Sequence, residues 1–230
     1  TADSVINIPV TVKDASLDTS NVLTTSGETK QAVISNNISV NTESSLGTLN
    51  ATIPAGVTVS GPAGWNGNIT LLSLVSNSSA TPSVAPGTTV QTTAVVEIGA
   101  GDTPLTLSKA VRLVIPGKAK QLAGFVRGST FTAINTTCTA DSQSAGDSLA
   151  DGGDCKIDNG SDLVIWTKHF TKFITYTQTA NPPSGGIGGS TSSNSGSGSN
   201  NSSGAPQCTD IKPGSAPTLV SALAGENSVT

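Results

Sequence analysis

The chain is poor in the side chains that most binding and catalytic sites are built from. Aromatic residues are 3 % of it and charged residues 11 %; there is one histidine, three cysteines and no methionine. Charged residues make up about a quarter of an average soluble domain, so here Ser, Thr, Asn and Gly carry the polar balance. Eleven Lys and Arg against fifteen Asp and Glu leave a net charge of −4. No basic cluster occurs, so a phosphate backbone has no electrostatic footprint to bind, and no nucleic acid is expected as a partner. No apolar run approaches the ~20 residues that cross a bilayer. The opening TADSVIN lacks the basic and apolar regions of a signal peptide, and with no Met the chain reads as a processed product. One histidine leaves no basis for a Ser-His-Asp hydrolase acting on outside substrates, nor for a zinc site. No Gly-rich segment joins a strand to a helix, so a nucleotide cradle is missing as well. No cofactor and no metal are expected.

What is present is β-branched and regularly punctuated. Runs such as QAVISNNISV (31–40), LNATIPAGVTVSG (49–61), NITLLSLVS (68–76), TTVQTTAVVEIG (88–99), LTLSKAVRLVIPG (105–117) and FVRGSTFTAI (125–134) are separated by Gly, Pro, Asn and Ser. Val90, Thr92, Ala94, Val96 and Ile98 share one face at period two, as do Val111, Leu113 and Ile115, which is the pattern of half-buried strands. No capped helix with a 3.6 period is evident. The expected fold is all-β, an antiparallel β-sandwich over residues 1–180.

Cys138 and Cys155 flank a polar, Gly-containing loop, TADSQSAGDSLADGGD. A disulfide there would pin a floppy excursion and contribute about 3 kcal/mol in the chain-entropy view. It also implies an oxidising, extracytoplasmic or cell-surface setting. The six aspartates in and after this loop lack the spacing of a calcium loop. Residues 181–206 form a Gly/Ser/Asn-rich linker that cannot bury enough apolar surface to offset ordering entropy. Residues 207–230, with alternating Leu219, Ser221 and Leu223, resemble the opening strand of a fibronectin type III module. The chain thus reads as part of a modular surface protein whose partners are other modules or subunits. Cys208 is left to pair outside this chain.

The lone histidine stands in SDLVIWTKHFTKFITYT, between two strand-like halves, Leu163 to Lys168 and Thr171 to Thr177. A tight turn at the junction would distort the amide after Phe170 and bring the Thr171 hydroxyl against it. His169 would take the hydroxyl proton, because imidazole can both accept and release a proton in neutral water. Trp166, Phe170 and Val164 fall on one face by alternation. The competing reading is an inert strand in which Thr171 is there for its β propensity and His169 is an ordinary polar residue.

The order His169, Phe170, Thr171 resembles the self-cleavage site of the GAIN domains of adhesion G-protein-coupled receptors and polycystins. It is closer still to the His-Phe-Ser site of the ZU-type sandwiches. ATIPAGVTVSG and VVEIGAGDTPLTLSKAVRLVIPG are similar to strands of those domains, and the resemblance spans residues 39–179. GAIN sites carry a cysteine close before the histidine, where this chain has Trp166, Thr167 and Lys168. The resemblance implies His169 as base, Phe170 as the residue whose carbonyl is attacked and Thr171 as nucleophile. The reaction is a single-turnover autoproteolysis between Phe170 and Thr171, with the fragments staying associated. The alternative is an uncleaved structural or adhesive module, or a filament subunit.

Overall fold

The structure is a computed structural model and describes residues 3–83 and 86–181. The chain divides into two units, residues 1–183 and 184–230. Only the first falls among the described residues, so the linker beyond Asn181, the fibronectin-like segment and Cys208 lie outside them.

The fold is all-β. Its strands are β1 (Ser4–Ile8), β2 (Ser16–Asp18), β3 (Leu23–Ser26), β4 (Thr29–Ile34), β5 (Ile38–Ser44), β6 (Gly47–Ile53), β7 (Val57–Pro62), β8 (Asn68–Val75), β9 (Thr88–Gly99), β10 (Leu105–Ile115), β11 (Leu122–Arg127), β12 (Thr130–Ala133), β13 (Asp154–Asn159) and β14 (Asp162–Ala180). They form one curled sheet that folds into two layers. In the first, β1, β5 and β6 lead to β10, which also receives β7 with β4 and β3 behind it. In the second, β2, β8 and β9 lie to one side of β14, with β11 and β12 on the other. The ladders between these strands are antiparallel except that of β1, which runs parallel to β5, and Thr137 makes an isolated parallel bridge to Lys156.

β14 belongs to both layers. Leu163 to Phe170 pair with β10, with β13 on the opposite side, and Thr171 to Ala180 pair with β9, with β11 opposite. The main core fills the space between the layers. Val40, Leu49, Ala51, Ile53, Val59 and Leu113 come from the first; Ile69, Leu72, Val96, Ile98 and Phe173 come from the second.

Period two holds where the ladder is regular and fails where it is not. Val111, Leu113 and Ile115 all enter the core as expected. In β9 the register against β14 slips between Ala94 and Thr92, leaving Thr93 as the extra residue of a bulge. Val90 therefore packs outside, with Val95, Ile174 and Tyr176, while Val96 and Ile98 point inward. The run 125–134 is a hairpin of β11 and β12 rather than one strand, and 31–40 breaks into β4 and β5.

Cys138 and Cys155 are bonded. The loop between them is tied down at several points rather than floppy. Ser142 caps a short helix, α1 (Gln143–Asp147), by accepting from the Ala145 N–H. The Asp147 carboxylate accepts from the Ala110 N–H at 2.8 Å. The Asp141 carboxylate accepts from Arg112 Nε and Nη2, at 2.7 and 2.5 Å, together with the Trp166 indole N–H at 3.0 Å and the Asn159 amide at 2.9 Å. Lysines act as staples: the ammonium groups of Lys109, Lys118, Lys156 and Lys168 all donate to backbone carbonyls. No helix among the described residues is long and apolar enough to cross a membrane.

Arg112 holds the Asp141 carboxyl down to about 2, from an ordinary value of 3.8. The folded value lies below the unfolded one, so this contribution is complete above about pH 3.8 and is lost as pH falls toward 2. Denaturant unfolding at a series of acid pH values is expected to show a stability loss across that window. The loss should be shallower for Asp141→Asn, which at neutral pH is expected to be about 1 to 2 kcal/mol less stable than the parent. Replacing Cys138 and Cys155 together with Ser should cost about 3 kcal/mol in the same assay.

Candidate functional site

His169, Phe170 and Thr171 lie inside a continuous strand, not at a turn. The expected tight turn is absent because β14 runs on through the junction as it exchanges β10 for β9 on one side, with β13 before it and β11 after it on the other. Phe170 pairs with Leu105 of β10, and Thr171 pairs with Ile98 of β9. The candidate bond is thus the step at which the strand leaves one layer for the other.

The exchange disturbs the ladder. Thr106 faces His169, but the next paired residues are Val111 and Thr167, so β10 uses more residues than β14 over this stretch. A side chain repairs the gap. The Thr167 hydroxyl accepts from the His169 N–H at 3.2 Å and donates to the His169 carbonyl at 3.0 Å. The Lys168 N–H finds the Gly153 carbonyl at 3.0 Å. Alternation slips as well. Val164 and Trp166 pack with the disulfide and Ala110, whereas Phe170 joins Leu163, Ile165 and Phe173 in the main core. Val164, Trp166 and Phe170 therefore do not share a face.

Gly99 makes room for this. Its φ is +128°, and a Cβ there would stand 2.7 Å from the Phe170 Cβ and 3.5 Å from the Phe170 carbonyl carbon. Only glycine lets the end of β9 lie against the junction.

The His169 ring is fully buried. Its Nε2 lies 2.9 Å from Oδ2 of Asp154, which β13 delivers beside Thr167. Phe125 meets the ring edge-on, with centroids 4.6 Å apart, and Phe173 stacks on it at 5.5 Å. His169 Nδ1 and Asp154 Oδ1 are both buried without a hydrogen-bond partner among the described residues. The Thr171 hydroxyl donates to the Val126 carbonyl. No hydrogen bond joins it to His169 among the described residues. A cavity of about 280 Å³ opens beside the junction, lined by Phe170, Thr171, Lys172, Val126 and Asp102 among others.

A carboxyl holding one imidazole nitrogen while the other has no partner is the arrangement of an oriented base. Here that base is set in aromatic walls, and the hydroxyls two residues away on either side, of Thr167 and Thr171, both donate to carbonyls. By sequence alone Asp154 is one of the aspartates of the loop. Its only sequence cue is its neighbour Cys155, whose disulfide pins the start of β13. Those aspartates do not converge: Asp158 accepts from the Lys120 N–H and Asp162 from the Gly117 N–H, each at 3.0 Å. No group of three or more metal-ligating side chains occurs among the described residues.

No protein-family model matches the chain, and no curated protein matches its sequence.

Gly99→Ala is expected to destabilise the fold by about 2 kcal/mol or more, from the combined clash and backbone penalty. Asp154→Ala, which leaves both imidazole nitrogens without a partner, should cost about 1 to 3 kcal/mol, and Asp154→Asn less. Both are read from urea denaturation midpoints at constant slope.

Proposed function

We propose that this domain is an uncut structural module of a secreted or cell-surface protein, presenting a neutral, hydroxyl-rich β surface. The observation that carries this reading is the commitment of the Thr171 hydroxyl to the Val126 carbonyl, within a strand that runs unbroken through the junction. A nucleophile must approach the carbonyl carbon of its own preceding residue, and a hydroxyl donating to a neighbouring strand is turned to other use. The extracytoplasmic setting draws its support from the Cys138–Cys155 bond. Partners in this reading are other modules or subunits of the same surface assembly.

A second reading, self-cleavage of the GAIN or ZU type, is favoured by the Asp154–His169 pair with its unpartnered Nδ1, and by the cavity beside Phe170 and Thr171. In that reaction the Thr171 hydroxyl leaves Val126 and its oxygen attacks the Phe170 carbonyl carbon. His169 takes the hydroxyl proton and returns it to the Thr171 nitrogen as the C–N bond breaks. The resulting ester is hydrolysed by water to a Phe170 carboxylate and a free Thr171 amine. The chemistry happens once per chain.

Intact-mass measurement on native protein separates the two. The structural reading expects one species, with the same denaturing-gel pattern for the parent and for Thr171→Ala. A fragment whose amino terminus is Thr171, present in the parent and missing from Thr171→Ala, overturns it in favour of self-cleavage.

A further inference from the structure

Away from the Phe170–Thr171 bond, the outer face of the first layer carries a second, larger cavity of about 720 Å³. That size is typical of small-molecule sites, about 300 to 1,000 Å³. Its floor is built by register. Gln31 pairs with Ser60, Ser60 with Thr106, and Thr106 with His169, so the three polar side chains stand in one row across β4, β7 and β10. Their neighbours Ala32, Val59 and Leu107 are buried in the core, which places the row on the opposite, outer face. Adjacent strands lie about 4.8 Å apart, so the row offers hydrogen-bonding groups at near-constant spacing.

The end of the row toward β14 is closed by Arg127. Its guanidinium sits over the Phe125 ring, 5.4 Å from the centroid, and Phe125 in turn packs on His169. That stack holds the cation in place. Among the described residues no carboxylate forms an ion pair with Arg127. Asp151 lines the same cavity without pairing with it. Besides Leu107 and Gly152, the lining is therefore one cation, one carboxylate, and hydroxyl and amide groups.

We propose that this cavity binds an acidic sugar, a uronate unit of a glycan, with its carboxylate on Arg127 and its hydroxyls on Gln31, Ser60, Thr106 and Asp151. The cation and the polar row together select the class. A neutral sugar leaves the guanidinium without an acceptor, and an acidic peptide brings carboxylates but no hydroxyls for the polar row, whereas a sugar acid satisfies both. The proposal does not depend on whether the chain cuts itself.

Calorimetric titration of the intact chain with tri-galacturonate, a neutral trisaccharide of the same linkage and tri-aspartate tests it. Saturable binding of tri-galacturonate is expected, at least about tenfold tighter than either other probe. Arg127→Gln and the double variant Ser60→Ala with Thr106→Val should each weaken it about tenfold or more. These residues face outward, so thermal melting confirms that the variants remain folded. The proposal is overturned if tri-galacturonate does not saturate, if tri-aspartate or the neutral sugar binds as tightly, or if either variant binds like the parent.

Discussion

One strand has to be the interior neighbour of four others, and most of what is unusual in this domain follows from that. β14 gives its first half to β10 and β13 and its second half to β9 and β11. A strand changing neighbours must interrupt one ladder before joining the next, and every backbone polar group stranded in a buried gap needs another partner. Thr167 supplies one for both polar groups of His169, and Gly153 supplies another for Lys168. Gly99 removes the side chain that would collide with Phe170. The polar residues of WTKHFT are thus accounted for largely by the geometry of the crossing.

The same geometry explains how a motif can carry the letters of a reaction while its atoms are engaged elsewhere. His169 is oriented by a buried carboxyl, as a base would be, yet its ring is enclosed between Phe125 and Phe173. Thr171 lies two positions along the strand, and its hydroxyl is spent on β11. Neighbours in sequence, the hydroxyl and the imidazole thus have their hydrogen bonds to different strands, β11 and β13. Asp154, fifteen residues upstream of His169, is closer in function than Thr171.

Much of the architecture was legible in the sequence. β-branched runs bounded by Gly and Pro locate β8, β9 and β10 within a residue or two, and Val111, Leu113 and Ile115 are core by simple alternation. What escaped was whatever depends on contacts between distant segments. The bulge at Thr93 moves Val90 to the outer face, and nothing in TTVQTTAVVEIG announces it. The slip at the crossing separates Phe170 from Trp166. β13 was hidden because DCKIDN has little apolar content; its pairing rests on β14 and on the disulfide. The order of the loop 139–154 comes from Arg112, Ala110 and Trp166 reaching in from other strands. The Asp154–His169 pair belongs to the same class of non-local information.

The placement of β14 also sets how the domain bears load. Tension entering at the Ala180 end pulls along the strand axis, parallel to β9 and β11, so the cross-strand bonds on both flanks are sheared together instead of peeling apart one at a time. Past the layer exchange, the same pull meets the β13 ladder, whose first residues are clamped through Cys155 to Cys138. Along its own axis, the carboxy-terminal strand is thus opposed by ladders on both flanks over residues 172–176 and by a covalent clamp beyond them.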